Sequence, residues 1–352
     1  MTNRPQTFLT RKNVVCFIIA TLMYICVNVT EFLLYHLGGR KSGICELSMC
    51  YSYCGSSKHS CVATLNSDLL SGHYGDDVGF IQETNDAFVI GIADGVSGNR
   101  SCGLNPFLFS QALLRECQLL VEYEGQRMAS NLKGLTYRAL KRVESKSIYG
   151  SSTLCLLSLN KKAFKLDTMN LGDSGFVVIR ESTIVYKSQP QYHKSRSPYQ
   201  LCTTPPNFNM NEKRLYNDKP NLSVVGSFTL EPNDLILLAT DGLFDNLYED
   251  FILQIINKHL CLDDVNQDML NHTCQLLVQN AKNAHIKPDD ILVMLFSIRE
   301  CPNVIINSSS TPPSPIPLSS SSSLESNESV TTFDEADDDV DDHVMDLFIF
   351  NE

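Results

Sequence analysis

Apolar positions are distributed along this chain in three textures. Residues Val14–Thr30 form one apolar run interrupted only by Asn28 and threonines, residues 71–300 carry short apolar runs separated by turn residues, and the last fifty residues are almost devoid of either pattern. The middle region carries the fold. Gly79–Glu83 and Ala87–Ala93 (AFVIGIA) read as two strands around the polar turn Glu83–Asp86, a hairpin ending at Asp94-Gly95. Asn105-Pro106 then opens a helix, with Asn as N-cap and Pro at the first helical position. Phe107, Leu108, Ala112, Leu113, Leu119, Leu120 and Tyr123 keep an apolar stripe along it. A second helix is expected over Leu132–Val143. Thr153–Leu159 and Ala163–Leu171 form a second hairpin around Asn160-Lys161-Lys162, and Gly175–Ile179 with Thr183–Lys187 continue the meander. Pro190–Pro220 reads as a long polar surface loop, and Asp234–Thr240 (DLILLAT) as a buried strand. Helices follow at Leu247–His259 and Val265–Ala284, and a last strand at Ile291–Ile298. Two runs of strands, each followed by two helices, make an α+β sandwich and not an alternating βαβ fold.

The flanks read differently. Arg4, Arg11 and Lys12 precede the apolar run, and Arg40 and Lys41 follow it; extended through Phe32, Leu33, Leu34 and Leu37, it reaches the ~20 residues needed to cross a bilayer but takes in Glu31 near its far end. Continuous apolarity without a polar face favours a single-pass membrane anchor. The acid-poor first thirty residues also permit a mitochondrial transit segment, while a signal peptide would want a small-residue cleavage site. The expected location is therefore membrane-anchored or mitochondrial, with a soluble body. Residues 46–70, rich in Ser, Cys and Tyr and without helical period, read as a linker leading into a first strand near Cys61–Leu65. Ser308–Ser323 and the acidic block Phe333–Asp346 have a composition that cannot offset ordering entropy. The domain reading is thus an anchor or transit segment at 1–45, linker at 46–70, catalytic body at 71–300 and disordered tail at 301–352.

Charge sharpens this picture. The chain carries a net −12, but residues 301–352 hold eleven Asp/Glu and no Lys/Arg, and without them the remainder is at −1. A nearly neutral body lacks the broad basic face that nucleic-acid binding needs. Within the tail, DEADDDVDD has neither the Gly nor the Glu that a calcium-binding EF-hand loop requires, and reads as a solvated charge run. The thirteen cysteines are an odd, scattered set that does not resemble a secreted disulfide framework. Cys45, Cys50, Cys54 and Cys61 do not make two separate pairs at the spacing of zinc ligands, so incidental thiols are the expectation.

Candidate chemistry lies in the aspartates at strand ends: Gly75-Asp76-Asp77, Ala93-Asp94-Gly95, Leu171-Gly172-Asp173-Ser174, Thr240-Asp241-Gly242 and Lys287-Pro288-Asp289-Asp290. One Asp-Gly is ordinarily a turn. Five such groups at the ends of neighbouring strands would converge on one sandwich edge, where their repulsion is costly unless hard cations neutralise it. Oxygen-only ligands favour Mg²⁺ or Mn²⁺ over zinc.

The ordered series GDDVGF, GIADGVSG, YGSSTL, NLGDSGF, LLATDGLFDN and KPDDILV, spread over about Ser71–Ile298, resembles the metal-dependent protein Ser/Thr phosphatases of type 2C, in the short branch typified by protein phosphatase 2C homologue 7. The resemblance implies a four-layer αββα sandwich of two antiparallel sheets flanked by helices. It also implies two Mg²⁺ or Mn²⁺ ions, with a weaker third, and in-line attack of a metal-activated water on phosphoserine or phosphothreonine. Carried over by motif, Asp94 bridges both metals, the Gly95 carbonyl binds one, and Asp241 and Asp289 bind the other. Asp76 and Asp77 contribute directly or through water, and Asp173 matches the third site. Asp94 and Asp241 are the catalytic candidates. The expected partners are phosphoprotein substrates, with a monomeric catalytic domain and single-pass membrane association through the N-terminal run.

The chain also departs from the family pattern. Where many members carry an Arg ahead of the acidic pair to hold the substrate phosphate, Leu70–Gly75 offers only His73. Val96 stands where many have a His suited to protonate the leaving group, and GVSGNR replaces the branch's GVGGWR, so that Asn99 replaces Trp and Arg100 remains. Arg100 and His73 are therefore the candidates for the substrate phosphate. Ala239 occupies the position where a haloacid-dehalogenase nucleophile would stand, and no P-loop is present. The competing function is a membrane-tethered pseudophosphatase that binds phosphoproteins without hydrolysing them.

Overall fold

The computed structural model describes residues 46–60, 62–208 and 215–301. The segment read as anchor or transit sequence and the acidic tail lie outside the described residues. Among the described residues no helix is long and apolar enough to cross a membrane.

Thirteen strands are described: β1 (Glu46–Ser56), β2 (Thr64–Leu65), β3 (Asp77–Glu83), β4 (Ala87–Asp94), β5 (Gly150–Ser152), β6 (Leu154–Asn160), β7 (Lys165–Leu171), β8 (Gly175–Arg180), β9 (Thr183–Lys187), β10 (Leu201–Thr203), β11 (Val224–Thr229), β12 (Leu235–Ala239) and β13 (Ile291–Cys301). They form a six-stranded sheet in the order β2-β1-β13-β12-β8-β9, a five-stranded sheet in the order β11-β7-β6-β4-β3, and a two-stranded piece, β10-β5. All pairings are antiparallel. The principal helices are α1 (Pro106–Glu124), α2 (Leu132–Ser145), the single turn α3 (Asp241–Phe244), α4 (Glu249–His259) and α5 (Gln267–Ala284).

Side-chain alternation explains the layering. In β4, Phe88, Ile90 and Ile92 enter the layer between the sheets, where they meet Ile236 and Leu238 of β12 and Leu292, Met294 and Phe296 of β13. The intervening Ala87, Val89 and Ala93 turn outward against Phe109, Leu113 and Leu120 of α1 and Leu135 of α2. On the other sheet, Leu235, Leu237, Val293 and Leu295 pack against Ile252 and Ile256 of α4 and Leu270, Leu277 and Val278 of α5. Strands covered on both faces must be apolar at nearly every position, which is why AFVIGIA and DLILLAT carry no alternation. The result is the expected αββα sandwich. Truncating the fully buried Ile90 to Ala would cost about 2–5 kcal/mol.

The helices begin where the sequence places their caps. Asn105, Asn131 and Asn266 accept backbone hydrogen bonds from Leu108 (3.2 Å), Gly134 (2.9 Å) and Met269 (3.0 Å).

Three expectations need correction. Residues 46–56 are not linker: they form β1, paired along its whole length with β13 from Glu46↔Cys301 to Ser56↔Ile291. Ser52 and Cys54 are buried, the latter against the α5 side of the sheet, so small polar and thiol side chains do there what Val and Ile do elsewhere. The region expected near Cys61–Leu65 reduces to the two-residue β2. The stretch Pro190–Pro220 also contains β10, and β11 follows it as an edge strand with Val224 and Val225 exposed.

Candidate metal centre

The strand ends deliver the carboxylates to one edge of the sandwich. Asp77 opens β3 directly opposite Asp94, which closes β4. Asp173 lies in the turn from β7 to β8, after Gly172, whose φ of 111° a side chain would strain. Asp241 follows β12 as the first residue of α3, and Asp289-Asp290 lead into β13.

Backbone hydrogen bonds fix these turns. The Asp94 amide donates to Thr153 Oγ1 (3.1 Å), the Asp94 carbonyl accepts from the Thr153 amide (3.0 Å) and Ser152 Oγ (2.8 Å), and Thr153 Oγ1 lies 2.8 Å from Ser174 Oγ. The YGSST segment thus ties the Asp94 turn to the Asp173 turn. Thr240 Oγ1 donates to Asp77 Oδ2 (2.8 Å) and accepts from the Leu292 amide (3.0 Å), linking three of the acidic segments. Gly95 is a close-approach glycine: a Cβ there would sit 2.7 Å from the Pro106 carbonyl oxygen.

Carboxylate oxygens of Asp94, Asp173 and Asp241 lie within 4.8 Å of one another. Asp77 Oδ1, Asp173 Oδ1 and Asp241 Oδ1 are buried and without hydrogen-bond partners. Buried acceptors left unpaired are costly, and carboxylates are more so. Burial, followed by the charges of Asp241, Asp77 and Asp173, holds the Asp94 carboxyl well above the usual carboxylate range. Burial and then Asp290 do the same to Asp77, and burial with Asp241 pushes Asp173 up to about 7. Burial also raises Asp241, against the opposing pull of Lys287. A convergent all-oxygen donor set with unpaired buried atoms fits hard divalent cations.

Other expected residues take different places. Asp289 lies at the rim, its Oδ2 3.6 Å from Lys287 Nζ. The Asp76 carboxylate is committed to the Arg100 guanidinium and to Ser97 Oγ (2.9 Å). Arg100 is accordingly anchored by Asp76 with its side chain about half exposed. His73 is exposed on the turn Gly72–Tyr74 and does not join the acidic group.

Three residues take parts that the motifs did not assign. Asp290 is a backbone clamp, accepting from the amides of Lys58 (2.7 Å) and Asp76 (2.8 Å), and its carboxylate occupies the space that a side chain at Gly75 would need. Lys287 Nζ donates to Asp241 and to Asp245 (2.7 Å); burial works against its charge, but these carboxylates override it and raise the ammonium's pKa. Lys58 reaches Ser97 Oγ at 2.8 Å. Its signal was hidden by the linker assignment, whereas Lys287 and Asp290 stood inside the KPDD motif.

A two-sheet sandwich flanked by helices, whose strand ends gather unpaired carboxylates, has the architecture of the type 2C protein phosphatases. The fold is similar to that of the photosystem II phosphatase PBCP, with a TM-score of 0.55 at 20% identity over 71% of this chain and 98% of that one. It is also similar to the S. agalactiae serine/threonine phosphatase, with a TM-score of 0.50 at 14% identity over 71% and 99%. No family model matches the sequence. The protein phosphatase PTC7 homolog of Xenopus laevis is 36% identical over 247 residues, 69% of this chain and 80% of that protein. Its Homo sapiens counterpart is 38% identical over 218 residues, 61% and 69% respectively. The chain belongs to the PTC7 family of protein phosphatases.

Proposed function

We propose that the chain hydrolyses phosphoserine and phosphothreonine in proteins at a centre of two Mg²⁺ or Mn²⁺ ions, with Asp173 serving a weaker third. Asp94, flanked by Asp77, Asp173 and Asp241, would bridge the pair; the Gly95 carbonyl would complete one site, and Asp241 with Asp289 the other. When bound, such ions supply Lewis acidity toward water and the phosphoryl oxygens. The chain's own part is positional. Thr153 and Thr240 lock the turns so that the carboxylates meet an ion without reorganising, and Asp77 keeps one oxygen in reserve while Thr240 holds the other. Arg100, oriented by Asp76 and half exposed, retains donors for the substrate phosphate.

The observation that carries this reading is the set of three buried, unpaired oxygens on Asp77, Asp173 and Asp241. Retention of every acidic motif residue leaves the pseudophosphatase alternative without support. The test is phosphate release from a phosphothreonine peptide by the purified chain, with Mn²⁺ and with chelator. Release that persists in chelator would refute the metal mechanism.

A further inference from the structure

Beside the acidic edge lies a cavity of about 330 Å³, between the loop that follows β1 and the turn that follows α5. Its walls include Lys58, Lys282, His285 and Lys287, and it borders Asp289, so whatever enters it sits next to the metal centre. The four basic side chains are not equally available. Lys282 Nζ is consumed by the loop itself, donating to Ser56 Oγ (2.8 Å), the Ser57 carbonyl (3.1 Å) and the Ser60 carbonyl. Lys287 is held by Asp241 and Asp245.

Lys58 differs. Its amide is fastened to Asp290, and Lys282 staples the loop on either side of it, so its backbone is fixed by two independent anchors. Its ammonium has three donors, of which one goes to Ser97; Asp290 Oδ2 stands 4.0 Å away, and the side chain is 25% exposed. At the far lip, His285 is exposed at the left-handed C-cap of α5.

We propose that this cavity receives an anionic side chain of the protein substrate, a carboxylate or a second phosphate close in sequence to the phosphoresidue being hydrolysed, with Lys58 as its principal donor and His285 at its rim. The proposal deepens the phosphatase reading and rests on it. A fixed backbone carrying a lysine with unspent donors next to the reacting centre is a preorganised anion subsite, whereas the neighbouring lysines are spent on holding it in shape.

The test uses the full chain with Mn²⁺ and phosphothreonine peptides in which one flanking residue, scanned from two before to three after the target, is Ala, Glu or a non-hydrolysable phosphonate analogue of phosphoserine. At one position the Glu or phosphonate peptide should show a KM about tenfold below that of the Ala peptide, the worth of one charge-assisted hydrogen bond. The Glu and phosphonate arms separate the two sources of the anion. Lys58→Met should collapse the ratio to within twofold, and Lys58→Arg should keep most of it, showing that the loop still folds. Hydrolysis of p-nitrophenyl phosphate, too small to reach the cavity, reports on the metal centre alone. Equal KM values across all peptides, with that hydrolysis intact, would overturn the subsite while leaving the phosphatase reading standing. An equal loss on p-nitrophenyl phosphate and peptides in Lys58→Met would also overturn it, because Lys58 would then act on the reacting phosphate itself. Absence of hydrolysis on every substrate would instead sink the underlying reading.

Discussion

Asp173→Asn should stabilise the metal-free protein, and the gain should depend on pH in a direction opposite to ordinary acid unfolding. The Asp173 carboxyl is pushed from 3.8 up to about 7 by burial and then by Asp241. At about 1.36 kcal/mol for each pH unit between those values, holding it ionised in the fold costs about 4 kcal/mol. The sign follows from linkage. A carboxyl whose folded pKa is raised imposes no penalty below pH 3.8, a growing one as pH climbs toward 7, and the full amount above. Asn cannot ionise and escapes it, while its amide can donate toward the Asp94 or Asp241 carboxylates. At roughly 2–4 °C per kcal/mol for a domain of this size, the variant should melt about 10 °C above the parent in chelator at pH 8, with the gap closing toward pH 4.5. Excess Mn²⁺ should erase or reverse the advantage, since ions that bind the native carboxylates stabilise the parent more. Scanning calorimetry of both proteins across pH, with chelator and with Mn²⁺, measures all of this. Coincident melting of the two proteins in chelator at pH 8, or a variant melting lower, would refute the account of the edge as a strained cluster of buried carboxylates.

Asp94→Asn should reduce Mn²⁺-dependent phosphopeptide turnover by at least about a thousandfold with an unchanged far-ultraviolet circular dichroism spectrum, because its oxygens lie among those of Asp173 and Asp241; near-normal turnover at saturating Mn²⁺ would contradict its bridging role. Asp290→Ala should destabilise by about 2–4 kcal/mol in urea unfolding, since two backbone amides, those of Lys58 and Asp76, lose a charged acceptor. An unchanged midpoint would show that the clamp is dispensable. Lys287→Met should tighten Mn²⁺ binding about tenfold by calorimetric titration, because its ammonium competes for Asp241 and Asp289; weaker binding would show instead that Lys287 helps build the site.

The sequence was most legible where burial is complete. AFVIGIA and the LILLA of β12 are covered on both faces, which is why they are apolar at every position save for a glycine. It was least legible at the sheet margins. In β11, VVGSFT has its first two valines exposed and borrows its strand conformation from β7, so local pattern alone does not mark it. In β1, Ser and Cys pack under α5 without β-branched residues to announce a strand. Within the site, the motifs located the right edge but not the role of each acid. Of Asp76-Asp77, the second opens β3 and keeps one buried oxygen unpaired, whereas the first lies in the turn before the strand and is spent on Arg100. Ahead of β13, Asp290 likewise clamps backbone amides while Asp289 reaches the rim. Lys58 was beyond the reach of pattern, since its place depends on a fastening to Asp290 some 232 residues away.

The pairing of β1 with β13 has a geometric consequence for how the enzyme presents itself. Ser56 and Ile291 mark the end of that ribbon nearest the carboxylates, and Glu46 and Cys301 mark the other. Eleven paired residues, ten steps of about 3.3 Å, set the two ends about 33 Å apart. Glu46 and Cys301 therefore lie side by side at the end of the ribbon away from the carboxylates. A label carried on either residue would report on that end of the sheet without standing among the acidic strand ends.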